Sequence, residues 1–322
     1  MKHLSSFILL CFVMISLCGC SITPKEPLSK TGFHFDTVIT ITLYDSKGEE
    51  LLNSCFEFCK EFENLVSRTI QDSEISKINH ANGQPIEVSG TTIELLKKGI
   101  EFGELTDGAF DITIAPLMEL WDIKNNPGNV PSEADITEVL SHVNYKNIVI
   151  EGNTVTLTDP KASIDLGGIA KGYMADQLKE FLLSEGVTSA IINLGGNVLT
   201  IGEKPDGNSF HIGIQKPFDK QNATITSVSV KDSSVVTSGS YERYFKVNDT
   251  IYHHILNTEN GYPCDNGLHS VTILSEKSID GDALGTACFA LGLEEGQKLI
   301  ESLEDIDAIF VTAEYEIVDT RD

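Results

Sequence analysis

Residues 164–176 read Ile-Asp-Leu-Gly-Gly-Ile-Ala-Lys-Gly-Tyr-Met-Ala-Asp. The apolar run Ala162–Asp165 ends on a carboxylate, Gly167 and Gly168 follow, and Lys171 arrives as a helical pattern begins. Paired glycines with free N–H groups at a helix start suit an anionic ligand, because the amides and the helix dipole both favour negative charge there. An acid at 165 and a base at 171 can hold two ends of one polar ligand. The spacing is neither G-x-x-x-x-G-K-[ST] nor G-x-G-x-x-G, the signatures of the P-loop and the dinucleotide fold. Taken alone, the stretch also reads as a strand-to-helix turn with a surface lysine.

Working outward, Ala162–Asp165, a helix running to Glu185 with Gly186 past its end, and Ser189–Asn193 predict a strand–helix–strand unit. Upstream, Val38–Tyr44 alternates as a strand, and Glu49–Val66 and Thr91–Leu105 carry amphipathic helical patterns. Ser132 is placed to cap a helix over Glu133–Val143. Lys146–Ile150 and Thr154–Thr158 form a hairpin pattern across Gly152-Asn153. Downstream, short strands dominate: Phe210–Ile214, Thr224–Val230, Val235–Thr237, Tyr244–Val247, Ile251–Ile255 and Val271–Leu274. Helical patterns return over Asp282–Leu291 and Glu295–Ser302, and a hairpin over Ile306–Thr312 and Tyr315–Asp319 closes the chain. With no repeat or long linker after residue 31, these elements imply one compact α+β unit, helical in its N-terminal part and β-rich in its C-terminal part.

The first 20 residues are of another kind. Lys2 and His3 precede an apolar run from Phe7 to Leu17, of signal-peptide length and too short to span a bilayer as a helix. It ends Leu17-Cys18-Gly19-Cys20, which resembles a bacterial lipobox. The expectation is removal of residues 1–19, lipid on Cys20, a tether over residues 20–31, and a folded unit from 32 to 322 anchored to a membrane outside the cytoplasm. The composition is strongly acidic, 48 Asp plus Glu against 23 Lys plus Arg, and no basic stripe interrupts it, so nucleic acid is not an expected partner. Of seven cysteines, Cys11 and Cys18 leave with the signal; Cys55 and Cys59 fall on the apolar side of a helical pattern as core thiols; Cys264 and Cys288 have no ligand spacing.

Four further constellations carry polar groups suited to chemistry. Thr106-Asp-Gly-Ala-Phe-Asp111 is a polar turn that also reads as a simple helix stop at Gly108. Asn193-Leu-Gly-Gly-Asn197 places a second glycine pair at a strand end. In Tyr252–Pro263, His253 and His254 point to opposite sides if extended, so at most one faces a given site. In Asp280–Gly292, Asp282 and Thr286 share a helix face. A carboxylate with a hydroxyl is oxygen-only ligation, which suits Mg²⁺ better than zinc; the alternative is a capping Asp and a Thr bonded back to its own helix.

Together these segments resemble the ApbE family of FAD:protein FMN transferases, from about Phe33 to Leu291. The motifs D-L-G-G-I-A-K-G-Y, N-L-G-G-N, T-S-G-S-Y-E-R-Y, H-H-I-L-N-T-E-N-G-Y-P and D-A-L-G-T-A occur in the family's order. The resemblance implies a T-fold-related unit that splits FAD, moves FMN to a Ser or Thr hydroxyl of an extracytoplasmic acceptor protein and releases AMP, with Mg²⁺. By the family pattern Asp282, Thr286 and the Gly168 carbonyl hold the metal, and Asp165 and Lys171 contact FAD. Ala109, Phe110 and Asp111 match a flavin-nucleotide contact loop, Leu256 an apolar contact, and His254 the base for the acceptor hydroxyl. Phe35 stands at the N-terminal contact, where the family often has Met, and Thr69 falls where some relatives place a tyrosine beside the adenine. Leu256-Asn257-Thr258 replaces the family's I-D-P. The other functions these residues admit are an FAD pyrophosphatase with water as acceptor and a non-catalytic flavin-binding lipoprotein.

Overall fold

A computed structural model describes residues 26–45, 48–220 and 223–321. The chain enters through a hairpin, β1 (Leu28–His34) and β2 (Thr37–Leu43). Its two turn residues, Phe35 and Asp36, both have positive φ, 51° and 59°, the mirror-image turn whose twist suits a hairpin. Helices follow: α1 (Glu49–Val66), α2 (Glu74–Asn79), then strand β3 (Ile86–Glu87), α3 (Gly90–Leu105), α4 (Ala115–Trp121) and α5 (Glu133–Leu140). Ser73, Ser89 and Ser132 cap α2, α3 and α5 by accepting a backbone N–H in the first turn. The hairpin of β4 (Ile148–Glu151) and β5 (Thr154–Leu157) leads to α6 (Ala170–Ser184).

The remaining chain is β6 (Ser189–Leu194), β7 (Asn197–Gly202), β8 (Phe210–Gln215), β9 (Thr224–Val230), β10 (Ser234–Gly239), β11 (Tyr244–Val247), β12 (Thr250–His253) and β13 (Leu268–Ser275). Helices α7 (Ser278–Leu291) and α8 (Leu293–Glu301) precede the closing hairpin, β14 (Asp307–Thr312) and β15 (Ile317–Asp319). Eight strands form one antiparallel sheet in the order β1-β2-β6-β7-β10-β13-β14-β15.

Helix α7 is apolar around most of its circumference, and a helix of that kind belongs inside. It lies on one face of the sheet over β10 and β13, with α6 packed beside it. Gly172 of α6 permits the approach: a Cβ there stands 2.4 Å from the Ser278 carbonyl oxygen and 2.6 Å from Ile279 Cα. The opposite face is covered by the β8–β9 hairpin, whose Phe210, Ile214, Val228 and Val230 meet Val235, Leu274 and Ile309. A satellite core joins Leu117, Trp121, Ile136, Phe245 and Leu256. Within it the Trp121 indole N–H donates to the Gly261 carbonyl at 2.7 Å and the ring stacks on Tyr252.

Three expectations change. Ala162–Asp165 is no strand of the sheet; its backbone is satisfied by the Asn79 amide, which bonds both Ile164 N and Ile164 O, and by Ile112 O, which accepts from Asp165 N. The expected tether overlaps the fold, since Leu28–Thr31 lie in β1, and the folded unit begins there rather than at residue 32. Helix α7 begins four residues before Asp282, at Ser278. The signal peptide, Cys11, Cys18, Cys20 and residues 21–25 lie outside the described residues. Cys55, Cys59, Cys264 and Cys288 are buried free thiols.

The Gly172 contact is testable. Gly172→Ala must push α6 from α7 and should cost about 1–3 kcal/mol in urea unfolding, the usual penalty for overpacking. Gly90→Ala, with nothing within 4 Å of the added Cβ, should be neutral or slightly stabilising.

Candidate active site

The polar segments converge where the N-terminus of α6 meets the side of α7. Asp282 of α7 is buried, and its two carboxylate oxygens accept from Lys171 Nζ and from the Gly172 backbone N–H, each at 3.0 Å. Lys171 also donates to Gly167 O at 3.2 Å. One turn along α7, the Thr286 hydroxyl bonds back to Asp282 O at 3.4 Å. Gly168 lies against it: a Cβ at 168 stands 3.5 Å from Thr286 Oγ1 and 3.0 Å from the Phe110 ring. The three expected metal ligands, Gly168, Asp282 and Thr286, are therefore neighbours. Among the described residues no cluster of three or more His, Cys, Asp or Glu side chains offers another metal site. The oxygen-only donor set fits a hard cation such as Mg²⁺.

Asp165 is brought to the same place. One of its oxygens accepts from Gly167 N at 2.6 Å and the other from Arg68 Nε at 2.6 Å. Thr69 is exposed beside Arg68, and its hydroxyl pairs with Ser67. Phe35, at the β1–β2 turn, packs near Phe62, which stacks on Tyr173 in the first turn of α6. That turn reaches across the site: Asp36 pairs with Lys124 and, at 3.6 Å, with Arg243. The β6–β7 turn seals against it, since a Cβ on Gly195, at φ 66°, overlaps the Thr37 side chain at 2.1 Å.

Asp111 and Leu256 also make contacts within the protein. Asp111 is buried, and its carboxylate is used within the protein: it accepts from Thr113 N, Thr113 Oγ1 and Tyr145 N at 2.7–2.8 Å. It sets the shape of the 106–111 loop, while Phe110 supplies that loop's apolar wall beside Gly168. Leu256 is buried in the satellite core with Trp121 and Phe245. The Ala109 end of the loop is tied to the histidine segment by Thr258 Oγ1, which donates to Gly108 O at 2.8 Å.

The adjacent histidines divide as alternation requires. The His253 imidazole faces the interior, bonded through Nε2 to Cys264 O at 2.8 Å and edge-on to Phe289. His254 turns the other way; its ring is half-buried, and its Nδ1 is enclosed without a partner among the described residues. Burial first, then the positive charges of Arg243 and Lys171, hold this ring neutral and well below the ordinary histidine pKa.

Three residues inside motifs quoted from the sequence have a place here that the sequence reading did not assign them. Glu242 and Arg243 follow β10; Glu242 Oε1 stands 3.8 Å from a Cβ placed on Gly196, and the Arg243 carbonyl accepts from His254 N at 3.1 Å, so the pair borders the recess between the β6–β7 turn and the histidine segment. Desolvation there raises the Glu242 pKa to about 7, against the charges of Lys171 and Arg243. A charged pair set between aromatics, Tyr241-Glu242-Arg243-Tyr244, is the signal that could have marked it. The third is Asp176, whose carboxylate accepts from Ser278 N at 2.8 Å and Ile279 N at 2.9 Å and so caps α7 from α6.

The motifs and the fold both have known counterparts. The ApbE family pattern matches residues 35–310, and the chain belongs to the ApbE family. An FAD:protein FMN transferase of Klebsiella pneumoniae is 41% identical over 283 residues, covering 87% of each chain. One from Treponema pallidum is 30% identical over 325 residues, covering 94% of this chain and 90% of its own. The crystal structure of the ApbE protein from Thermotoga maritima superposes with a TM-score of 0.85 at 33% identity, covering 92% of this chain and 97% of that one.

Burial raises the Asp176 pKa to about 6, so the folded protein holds a proton there that the unfolded chain has released. The ionised carboxylate therefore costs stability above pH 6, and the cost fades as pH falls toward 4. Relative to Asp176→Asn, the wild type should gain about 1–3 kcal/mol between pH 7 and pH 4.5 in urea titrations.

Proposed function

We propose that this chain moves FMN from FAD to a Ser or Thr hydroxyl of an extracytoplasmic protein, releasing AMP, with Mg²⁺ bound at Asp282, Thr286 and the Gly168 carbonyl. The observation that carries this reading is the meeting of those three oxygen donors beside Lys171 at the start of α6. The names of the relatives support the reaction, and the lipobox-like Leu17–Cys20 supports lipid anchoring. Among the described residues no helix is long and apolar enough to cross a membrane.

The cation, when bound, neutralises charge on the FAD diphosphate. The chain's own groups do the rest. Asp282, Thr286 and the Gly168 carbonyl would hold the cation; with Asp282 so engaged, the Lys171 ammonium that now pairs with it at 3.0 Å would be free for a diphosphate oxygen. Arg68 fixes Asp165, which in turn holds the Gly167 amide. His254 takes the proton of the acceptor hydroxyl. As it does so, the hydroxyl oxygen bonds the FMN phosphorus, and the bond from that phosphorus to the bridging oxygen breaks, leaving that oxygen with AMP. Burial first, and then the charges of Arg243 and Lys171, keep the His254 imidazole neutral and so able to accept a proton.

Mass spectrometry of an envelope acceptor incubated with FAD and Mg²⁺ should show the mass of FMN less water, with AMP released and EDTA blocking both. AMP without acceptor modification points instead to the pyrophosphatase. His254→Ala should slow transfer about 10²–10⁴-fold while FAD still binds, the usual worth of a general base. Asp282→Ala should abolish transfer with the fold intact; transfer with unchanged Mg²⁺ dependence contradicts the ligand assignment.

A further inference from the structure

Five rings gather beside the recess. Phe218 contacts Tyr244, His269 and Tyr241 edge-on, with centroids 5.2, 5.1 and 6.1 Å away, and His269 contacts Tyr315 at 5.0 Å. The Tyr315 hydroxyl donates to Pro217 O at 3.2 Å, and Lys216 Nζ lies 5.6 Å from the Tyr315 ring centre. This is not a closed core: Tyr244 and Tyr315 remain 44% and 39% exposed. Its geometry is also costly. Phe218 and Tyr315 have φ of 56° and 63°, the left-handed region that bulky side chains avoid at a cost on the order of 1–2 kcal/mol each. Two strained aromatics thus meet in one patch that is left partly open.

The patch is continuous with the catalytic recess. Tyr241 and Tyr244 belong to it, and the two residues between them border the site: the Arg243 carbonyl accepts from His254 N at 3.1 Å, and Glu242 Oε1 stands 3.8 Å from a Cβ placed on Gly196. Four consecutive residues span at most about 13 Å, so a polypeptide seated on these rings reaches the recess within about four of its own residues. Exposed tyrosines over a packed base are the side chains that anchor protein partners, since they bury large area and lose little rotamer freedom.

We propose that Phe218, Tyr241, Tyr244, His269 and Tyr315 form the docking surface for the acceptor polypeptide and present its hydroxyl to the recess at His254. The inference rests on the transferase reading above. Membranes from cells lacking this protein supply unmodified acceptor; the full chain, FAD and Mg²⁺ are added, and labelled bands are read by in-gel flavin fluorescence.

The variants are Tyr244→Ser, at an exposed position, and Tyr315→Gly, which relieves the backbone and should leave the melting temperature unchanged or higher. Each should lower the initial labelling rate about tenfold at limiting membranes, as loss of an interface anchor does. The rate should recover at high membrane amounts, and FAD affinity should stay that of the wild type. Labelling at wild-type rates at every membrane amount, or an equal fall at saturation, overturns the proposal. So does loss of a wild-type dimer in sedimentation with labelling intact, which would make the patch a contact between copies. No labelled band with the wild-type chain sinks the transferase reading and this proposal together; bands at equal rates for wild type and variants sink this proposal alone.

Discussion

The approach of α6 to α7 is the constraint on which the site depends. Without a side chain at 172, the α6 backbone touches Ser278 and Ile279, and the Gly172 N–H reaches the Asp282 carboxylate. A buried carboxylate needs partners that replace water, and here one is a backbone amide and the other a lysine ammonium. Each fixes one oxygen. The arrangement is stable as it stands, and it also keeps a single anionic group at the point where Gly168 and Thr286 add neutral oxygens. Asp176 reinforces the crossing from the other end of the same turn of α7.

Charge follows a related logic. The chain carries a formal charge of −25, yet Lys171, Arg68 and Arg243 are gathered around one recess. Each is paired with a carboxylate, Lys171 with Asp282, Arg68 with Asp165 and Glu119, and Arg243 with Asp36, so an anionic ligand would have to compete with those pairs for them.

Much of the architecture is legible in the sequence, because local patterning and tertiary demand agree. Glu49–Val66 runs as its amphipathic pattern requires, Ser132 caps the helix it precedes, and Thr224–Val230 and Tyr244–Val247 are strands at the expected bounds. What escaped the reading is held by partners distant in sequence. The start of α7 has no local cap because Asp176 provides it across a hundred residues; Ala162–Asp165 resembles a strand, but Asn79 stands in for a neighbouring strand. Strand β1 turns Lys30 and Gly32 inward and Phe33 outward, the reverse of a hydrophobic alternation, because Phe56 fills the space over Gly32. The family's motifs point to Gly168, Asp282, Thr286 and Lys171, and the fold makes them neighbours. The bonds Asp111 makes to Thr113 and Tyr145 and the packing of Leu256 on Trp121 and Phe245 are contacts that spacing cannot show.

The one tryptophan of the chain lies behind the histidine segment, bonded to Gly261 and stacked on Tyr252. Its indole is shut off from solvent, so its ultraviolet emission has a single, dry environment. Flavins absorb where such an indole emits. With FAD bound as proposed, quenching of this one fixed donor would report it, and the molecule would carry its own optical gauge of occupancy, needing no attached dye.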